Sequence, residues 1–155
     1  MKNLPFGFER PEDSPGFLLW QTTILWQRQI KKKLEKYNLS HAQFVIMATL
    51  MWAETNNYDT TQIFIAKLTK LDKMTISKSL KKLTSIGYVN RMENVQDGRA
   101  KTIFLSDKGE EMVKILVPMI EGIDAEFFGS CSTEEQHLLN FLFKNLIISS
   151  KDNSD

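Results

Sequence analysis

The residues whose types and spacing carry chemistry in this chain are cations set among small polar side chains. From Asp72 to Ile86 the pattern is that of an amphipathic helix. Plotted at about 100° per residue, Ile76, Leu80 and Leu83 share one face. Met74, Lys78, Lys81 and Ser85 share the opposite face, flanked by Thr75, Ser77 and Lys82. Gly87 is the expected terminator. An extended run follows, Tyr88-Val89-Asn90-Arg91, then a charged turn, Asp97-Gly98-Arg99-Ala100-Lys101, then a second extended run from Thr102 to Leu105. A short apolar-periodic segment (Ile63, Ile65, Leu68) precedes the Lys-rich helix. Helix, turn, helix and a hairpin with a basic tip outline a winged helix-turn-helix. Such a unit offers one helix to the DNA major groove and a basic loop to the backbone or minor groove.

Charge placement agrees. The formal net charge of the 155-residue chain is only +1, but residues 63–108 hold ten Lys or Arg against four Asp or Glu, and residues 109–155 hold three against nine. Gathering cations on one module suits a polyphosphate, because each neutralised phosphate releases counterions. A solvated Lys face on an ordinary helix would have the same composition; the basic hairpin that follows distinguishes the two.

The positioning elements come next. Residues 1–15 read as a loose arm with Pro5, Pro11 and Pro15. From Gly16 to Tyr37 the pattern is helical and apolar on more than one side (Phe17, Leu18, Trp20, Ile24, Leu25, Trp26, Ile30), so this helix needs partners on several sides. Lys31, Lys32, Lys33 and Lys36 mark its last turns, where cations suit the helix dipole. Ser40-His41-Ala42-Gln43 reads as a capping box. The helix it opens runs to about Glu54 with Phe44, Met47, Leu50 and Met51 at core spacing. Residues 56–59 form a loop, Thr60 or Thr61 caps the next short helix, and Asp72 caps the Lys-rich one. Ser106 caps a further helix carrying Met112, Ile115, Leu116, Met119, Ile120, Ile123 and Phe127, with Pro118 expected to kink it. Ser132-Thr133-Glu134-Glu135 is a second capping box, opening a last helix with Leu138, Leu139, Phe141, Leu142 and Leu146.

The fold class expected is mainly α with a small β-hairpin wing: a winged helix-turn-helix over residues 40–105, flanked by dimerisation helices at 16–37 and 107–148 within a single domain. The flanking helices carry more apolar surface than a small winged module can cover. Two copies related by a two-fold axis would cover it, and would match an inverted-repeat DNA site.

Composition bounds the alternatives. Hydrophobic content of 42% and charged content of 25% are those of a globular protein. No apolar run reaches about 18 residues, so no membrane span is expected. Residues 1–15 lack the apolar core of a signal peptide. The single cysteine, Cys131, forms no internal disulfide, which points to the cytoplasm. No Gly-rich phosphate loop and no Ser–His–Asp or Cys–His set is present, so no enzyme activity and no cofactor are expected. His41 and His137 are the only histidines, and no spacing announces the roughly four ligands of a zinc site.

Three segments together make the chain resemble the multiple-antibiotic-resistance regulator (MarR) family. Leu39-Ser40-His41-Ala42-Gln43-Phe44 resembles the family's second-helix entry. Residues 71–83, Leu71 to Leu83, resemble its recognition helix. Asp97-Gly98-Arg99-Ala100-Lys101, leading to Leu105-Ser106-Asp107-Lys108-Gly109, resembles its wing and the helix after it. The match spans roughly Gly16 to Leu146. The resemblance implies a dimeric, sequence-specific DNA-binding transcription factor, usually a repressor, often released by a small ligand or by oxidation.

Carried over residue by residue, Arg99 stands where the family places its wing arginine, suited to the negative potential of a narrow minor groove. Asp97 is expected to brace it, and Lys101 to contact phosphate. Thr75, Ser77 and Lys78 match positions used for base or phosphate contacts; Lys73 and Lys81 are further phosphate candidates. The resemblance also implies a cleft between the dimer helices and the winged module. Trp20, Trp26, Phe44, Met47 and Trp52 are its candidate lining, for a small aromatic or apolar effector, though residues of these types are more often simply core. The peroxide-sensing branch uses a cysteine in the first helix, where this chain has none. Two other readings follow from the same residues: a winged-helix protein-interaction module that does not read DNA, and a thiol-based redox regulator acting through Cys131.

Overall fold

Ser14 starts the first helix: its hydroxyl accepts the Phe17 N–H at 3.3 Å, and Pro15 stands at the first helical position, where a missing N–H costs nothing. The structure, a computed structural model, describes residues 4–93 and 101–150. In chain order the elements are α1 (Pro15–Leu34), α2 (His41–Thr55), α3 (Gln62–Thr69), α4 (Lys73–Ser85), β1 (Val89–Glu93), β2 (Lys101–Leu105), α5 (Asp107–Phe127) and α6 (Thr133–Ser149). The expected loose arm is partly ordered, with one 3-10 turn at Pro11–Asp13. Arg10 lies 3.5 Å from both Glu12 and Asp13.

The chain divides into two units, residues 1–119 and 120–155. In the first unit, α1 tightens into a 3-10 turn (Glu35–Tyr37) and stops at Asn38, whose φ of 54° is left-handed; Asn tolerates that region better than most residues. Ser40 and Gln43 then form the reciprocal capping box, at 3.1 and 3.0 Å. α2 buries Phe44, Ile46, Met47, Leu50 and Ala53. The core around it takes Ile30 and Leu34 from α1, Ile65 from α3, Ile76, Leu80 and Leu83 from α4, and Val89 and Ile103 from the hairpin.

Of the two threonines placed to cap α3, Thr61 does so, accepting the Phe64 N–H at 3.2 Å. Thr60 is buried and serves the wing instead. Its carbonyl accepts the Ile103 N–H at 2.8 Å, and its hydroxyl donates to the Ile103 carbonyl. β1 and β2 pair antiparallel from Val89↔Leu105 to Glu93↔Lys101. Glu54 of α2 accepts the Leu105 N–H at 2.9 Å, and burial pushes its carboxyl above the ordinary value. The hairpin is thus anchored to the α2–α3 connection as well as to itself.

Gly87, at φ +80°, turns the chain from α4 into β1 as expected. Ser106 opens α5, accepting the Gly109 N–H at 3.0 Å, while its own N–H donates to the Tyr88 carbonyl at 3.0 Å. α5 crosses onto the base of the hairpin here. A Cβ on Gly109 would stand 2.1 Å from the Tyr88 carbonyl oxygen.

α5 runs unbroken through Pro118. Proline has no N–H for the carbonyl four residues back, and the boundary between the two units falls just beyond it, after Met119. The second unit holds the end of α5, a 3-10 turn (Phe128–Ser130) and α6. The Ser132–Glu135 capping box forms as expected, both bonds at 3.1 Å. No residue of α6 is buried. Leu138, Phe141, Leu142, Leu146, Ile147 and Ile148 are all exposed along it. Among the described residues no helix is long and apolar enough to cross a membrane.

Candidate nucleic-acid interface

The exposed face of α4 is set from its first residue. Asp72 accepts the Thr75 N–H at 2.8 Å and the Thr75 hydroxyl proton at 2.7 Å. Those two hydrogen bonds hold the Asp72 carboxyl below its ordinary value. Thr75 therefore commits its hydroxyl proton to Asp72, and it is half-buried. Of the sequence candidates on this helix, Lys73, Ser77, Lys78 and Lys81 are exposed. Met74 projects beside them with 69% of its surface in solvent. Ile76, Leu80 and Leu83 hold the opposite face in the core. The helix cannot roll to hide its cations without extracting those three.

Other lysines serve the fold. Lys82 is half-buried, and its ammonium donates to the Asn38 carbonyl at 3.0 Å, tying the last turns of α4 to the corner between α1 and α2. Lys108 donates to the Ile86 carbonyl at 3.1 Å, at the end of α4, and lies 5.1 Å above the Tyr88 ring.

A concavity of about 560 Å³ is lined by Gln62, Ser77, Lys81, Thr84, Ser85 and Arg91. It brings together the start of α3, the exposed face of α4 and strand β1. Ser77 and Lys81 were candidates from sequence; Gln62 and Arg91 were not. Arg91 had shown only as one residue of an extended run, and nothing in the periodicity of α3 marks Gln62. The Gln62 amide donates to the Ser77 hydroxyl oxygen at 3.3 Å. On the hairpin, Lys101 is exposed and stands opposite Glu93 in the register. Asp97 and Arg99 lie outside the described residues.

The five aromatic and Met candidates for an effector cleft are spread between core and surface. Met47 and Phe44 are buried in α2, whereas Trp20 and Trp52 are 65% and 49% exposed. Trp26 meets the His41 ring edge-on at 5.1 Å, and Trp52 stacks on Tyr58 at 5.2 Å. A second concavity, of about 660 Å³, lies at the α1–α2 corner. Its lining includes Ile24, Arg28, Lys31, Leu39, His41 and Lys82, and none of the five candidates. Cys131 is half-buried in the second unit, its carbonyl accepting from the Gln136 amide at 3.1 Å.

Comparison with known proteins places this architecture. Residues 35–122 match the model of the ArnR1-like winged-helix domain. The HTH-type transcriptional regulator YdcH of Bacillus subtilis is 34% identical over 131 residues, covering 84% of this chain and 89% of YdcH. The chain belongs to the MarR family. Its fold matches solved MarR-family structures at lower identity. A mutant MarR of Escherichia coli complexed with operator DNA superposes with a TM-score of 0.76 at 20% identity, over 90% of this chain and 99% of that one. Bordetella bronchiseptica BpsR, whose DNA binding is regulated by 6-hydroxynicotinic acid, superposes with a TM-score of 0.81 at 20% identity, over 96% of this chain and all of that one. For this MarR-family chain the fold class expected from sequence, helical with a two-stranded wing, is the one found.

Proposed function

We propose that this MarR-family protein is a dimeric, sequence-specific transcriptional repressor that reads a pseudo-palindromic operator. The observation that carries the reading is the exposed face of α4. Lys73, Lys78 and Lys81 stand in solvent on a helix whose other face is locked into the core, beside a basic concavity completed by Arg91. A helix so held fits the major groove, with lysines at the phosphates, Ser77 and Thr75 at base edges, and the wing residues Asp97, Arg99 and Lys101 at the backbone or minor groove. The MarR and operator complex of the same fold supports this docking.

Residues 40–105 form the DNA-binding module on this reading, and helices within 16–37 and 107–148 form the dimer. The apolar surfaces of α1 (Phe17, Leu18, Leu19, Trp20, Leu25) and of α6 support that assignment, since each leaves large side chains in water. A small apolar or aromatic effector that binds one spacing of the two α4 helices better lowers DNA affinity by that difference. The concavity at the α1–α2 corner, where Arg28, Lys31 and Glu35 surround Ile24 and Leu39, is one place such an effector could lie.

Titration of binding to random and operator duplexes against salt tests the reading. The logarithm of the association constant should fall linearly with the logarithm of salt concentration, with a slope of about −0.9 per phosphate neutralised. Binding that does not weaken between low and moderate salt refutes DNA recognition and leaves a protein-interaction module in its place.

A further inference from the structure

Gln62 lies on α3, outside the reading helix, yet its amide reaches across to that helix and donates to the Ser77 oxygen at 3.3 Å. The two residues are 15 positions apart in the chain, and their neighbours in the same concavity are Lys81 and Arg91. Ser77 is exposed and its hydroxyl is a free rotor with one proton and two lone pairs. A donor on the oxygen occupies one of its two lone pairs and turns the O–H away from the amide, leaving the proton and a single lone pair for other partners. We infer that Gln62 is a positioning residue that orients the Ser77 hydroxyl, biasing it towards donation, and so tunes which base edge the reading helix prefers. The inference rests on the DNA-binding reading above.

The chemistry sets a direction. A serine held as a donor favours base atoms that accept in the major groove: guanine N7 and O6, adenine N7 or thymine O4. It disfavours the exocyclic amines of cytosine and adenine, which need an acceptor and find one lone pair in place of two. An unheld serine can rotate to serve either, so its readout is degenerate. One hydrogen bond to a base edge corresponds to a preference of about threefold to tenfold. Gln62 is half-buried at the first turn of α3, where Thr61 supplies the cap. A carboxylate there is favoured by the helix dipole, so a glutamate at this position leaves folding intact.

The test is selection of bound sequences from a randomised duplex pool by the full-length wild type, Gln62→Ala, Gln62→Glu and Ser77→Ala proteins, each checked for folding by circular dichroism. In Gln62→Ala, one base pair in each half-site should lose its preference by about threefold to tenfold, with the rest of the motif unchanged. Ser77→Ala should lose preference at the same base pair. Gln62→Glu can only accept from Ser77, so it should invert the preference there towards a base presenting an amine, whatever its added charge does to overall affinity. A Gln62→Ala motif identical to wild type overturns the inference, as does a Ser77→Ala motif identical to wild type. A wild-type protein that binds duplex but selects no motif overturns it together with sequence-specific readout. A wild-type protein with no hold on any duplex overturns the underlying reading of the interface itself.

Discussion

Replacing Gly109 by alanine sets two effects of opposite sign against each other. Gly109 lies in the first turn of α5, and alanine is favoured over glycine in a helix by about 1 kcal/mol. Propensity alone therefore predicts stabilisation. The structure predicts the reverse. The new Cβ would stand 2.1 Å from the Tyr88 carbonyl oxygen and 2.9 Å from its carbon, where real Cβ atoms essentially never come under 3.0 Å. Both obstructing atoms are backbone, so α5 or β1 must move by about 1 Å to restore contact distance. Overpacking of that kind costs about 1–3 kcal/mol. The movement also strains the Ser106 N–H bond to Tyr88 and the Ser106 hydroxyl bond to Gly87, each worth about 1 kcal/mol. After the propensity gain, a net loss of about 2–4 kcal/mol remains. For a chain of this size that lowers Tm by roughly 5–15 °C. Thermal unfolding followed by circular dichroism measures it, at a fixed protein concentration because an assembling protein has a concentration-dependent Tm. A variant melting at or above the wild type would refute the close approach of α5 to the hairpin base.

Three further outcomes are expected. Arg99→Ala should weaken operator binding by about 1–3 kcal/mol with Tm unchanged; equal affinity in a mobility-shift assay would remove Arg99 from the interface. Leu142→Asp on α6 or Ile24→Asp on α1 should give monomers in sedimentation, since both side chains are exposed in the single chain; an intact dimer would contradict the assignment of these helices. Glu54→Gln tests the raised carboxyl of Glu54, whose largest cause is burial. A carboxyl whose folded pKa is raised favours the folded state while protonated and loses that contribution as pH rises through the folded pKa. A glutamine still accepts from Leu105 and has no charge to bury. The urea midpoint of the variant should therefore gain on the wild type as pH rises above 4.5, the ordinary value for this group; a pH-independent difference would refute the burial argument.

The caps and the faces of single helices were legible in the sequence alone. Ser40 with Gln43, Asp72, Ser106, and Ser132 with Glu135 each act on partners three residues away, so the chain order states the contact. The two sides of α4 followed from the same short-range geometry, because Ile76, Leu80 and Leu83 repeat at the helical period and Lys78 and Lys81 fall opposite. Contacts between distant segments were decided only by the tertiary structure. Whether Thr60 or Thr61 capped α3 was open until Thr60 was found bonded to Ile103, 43 residues on. The approach of Gly109 to Tyr88, the tie of Lys82 to Asn38 and the meeting of Gln62 with Ser77 carry no local signal. The aromatic residues make the same point, since hydrophobicity says a side chain prefers to leave water but not where it goes. Met47 and Phe44 are inside, Trp20 and Trp52 are outside, and only the packing of whole helices separates them.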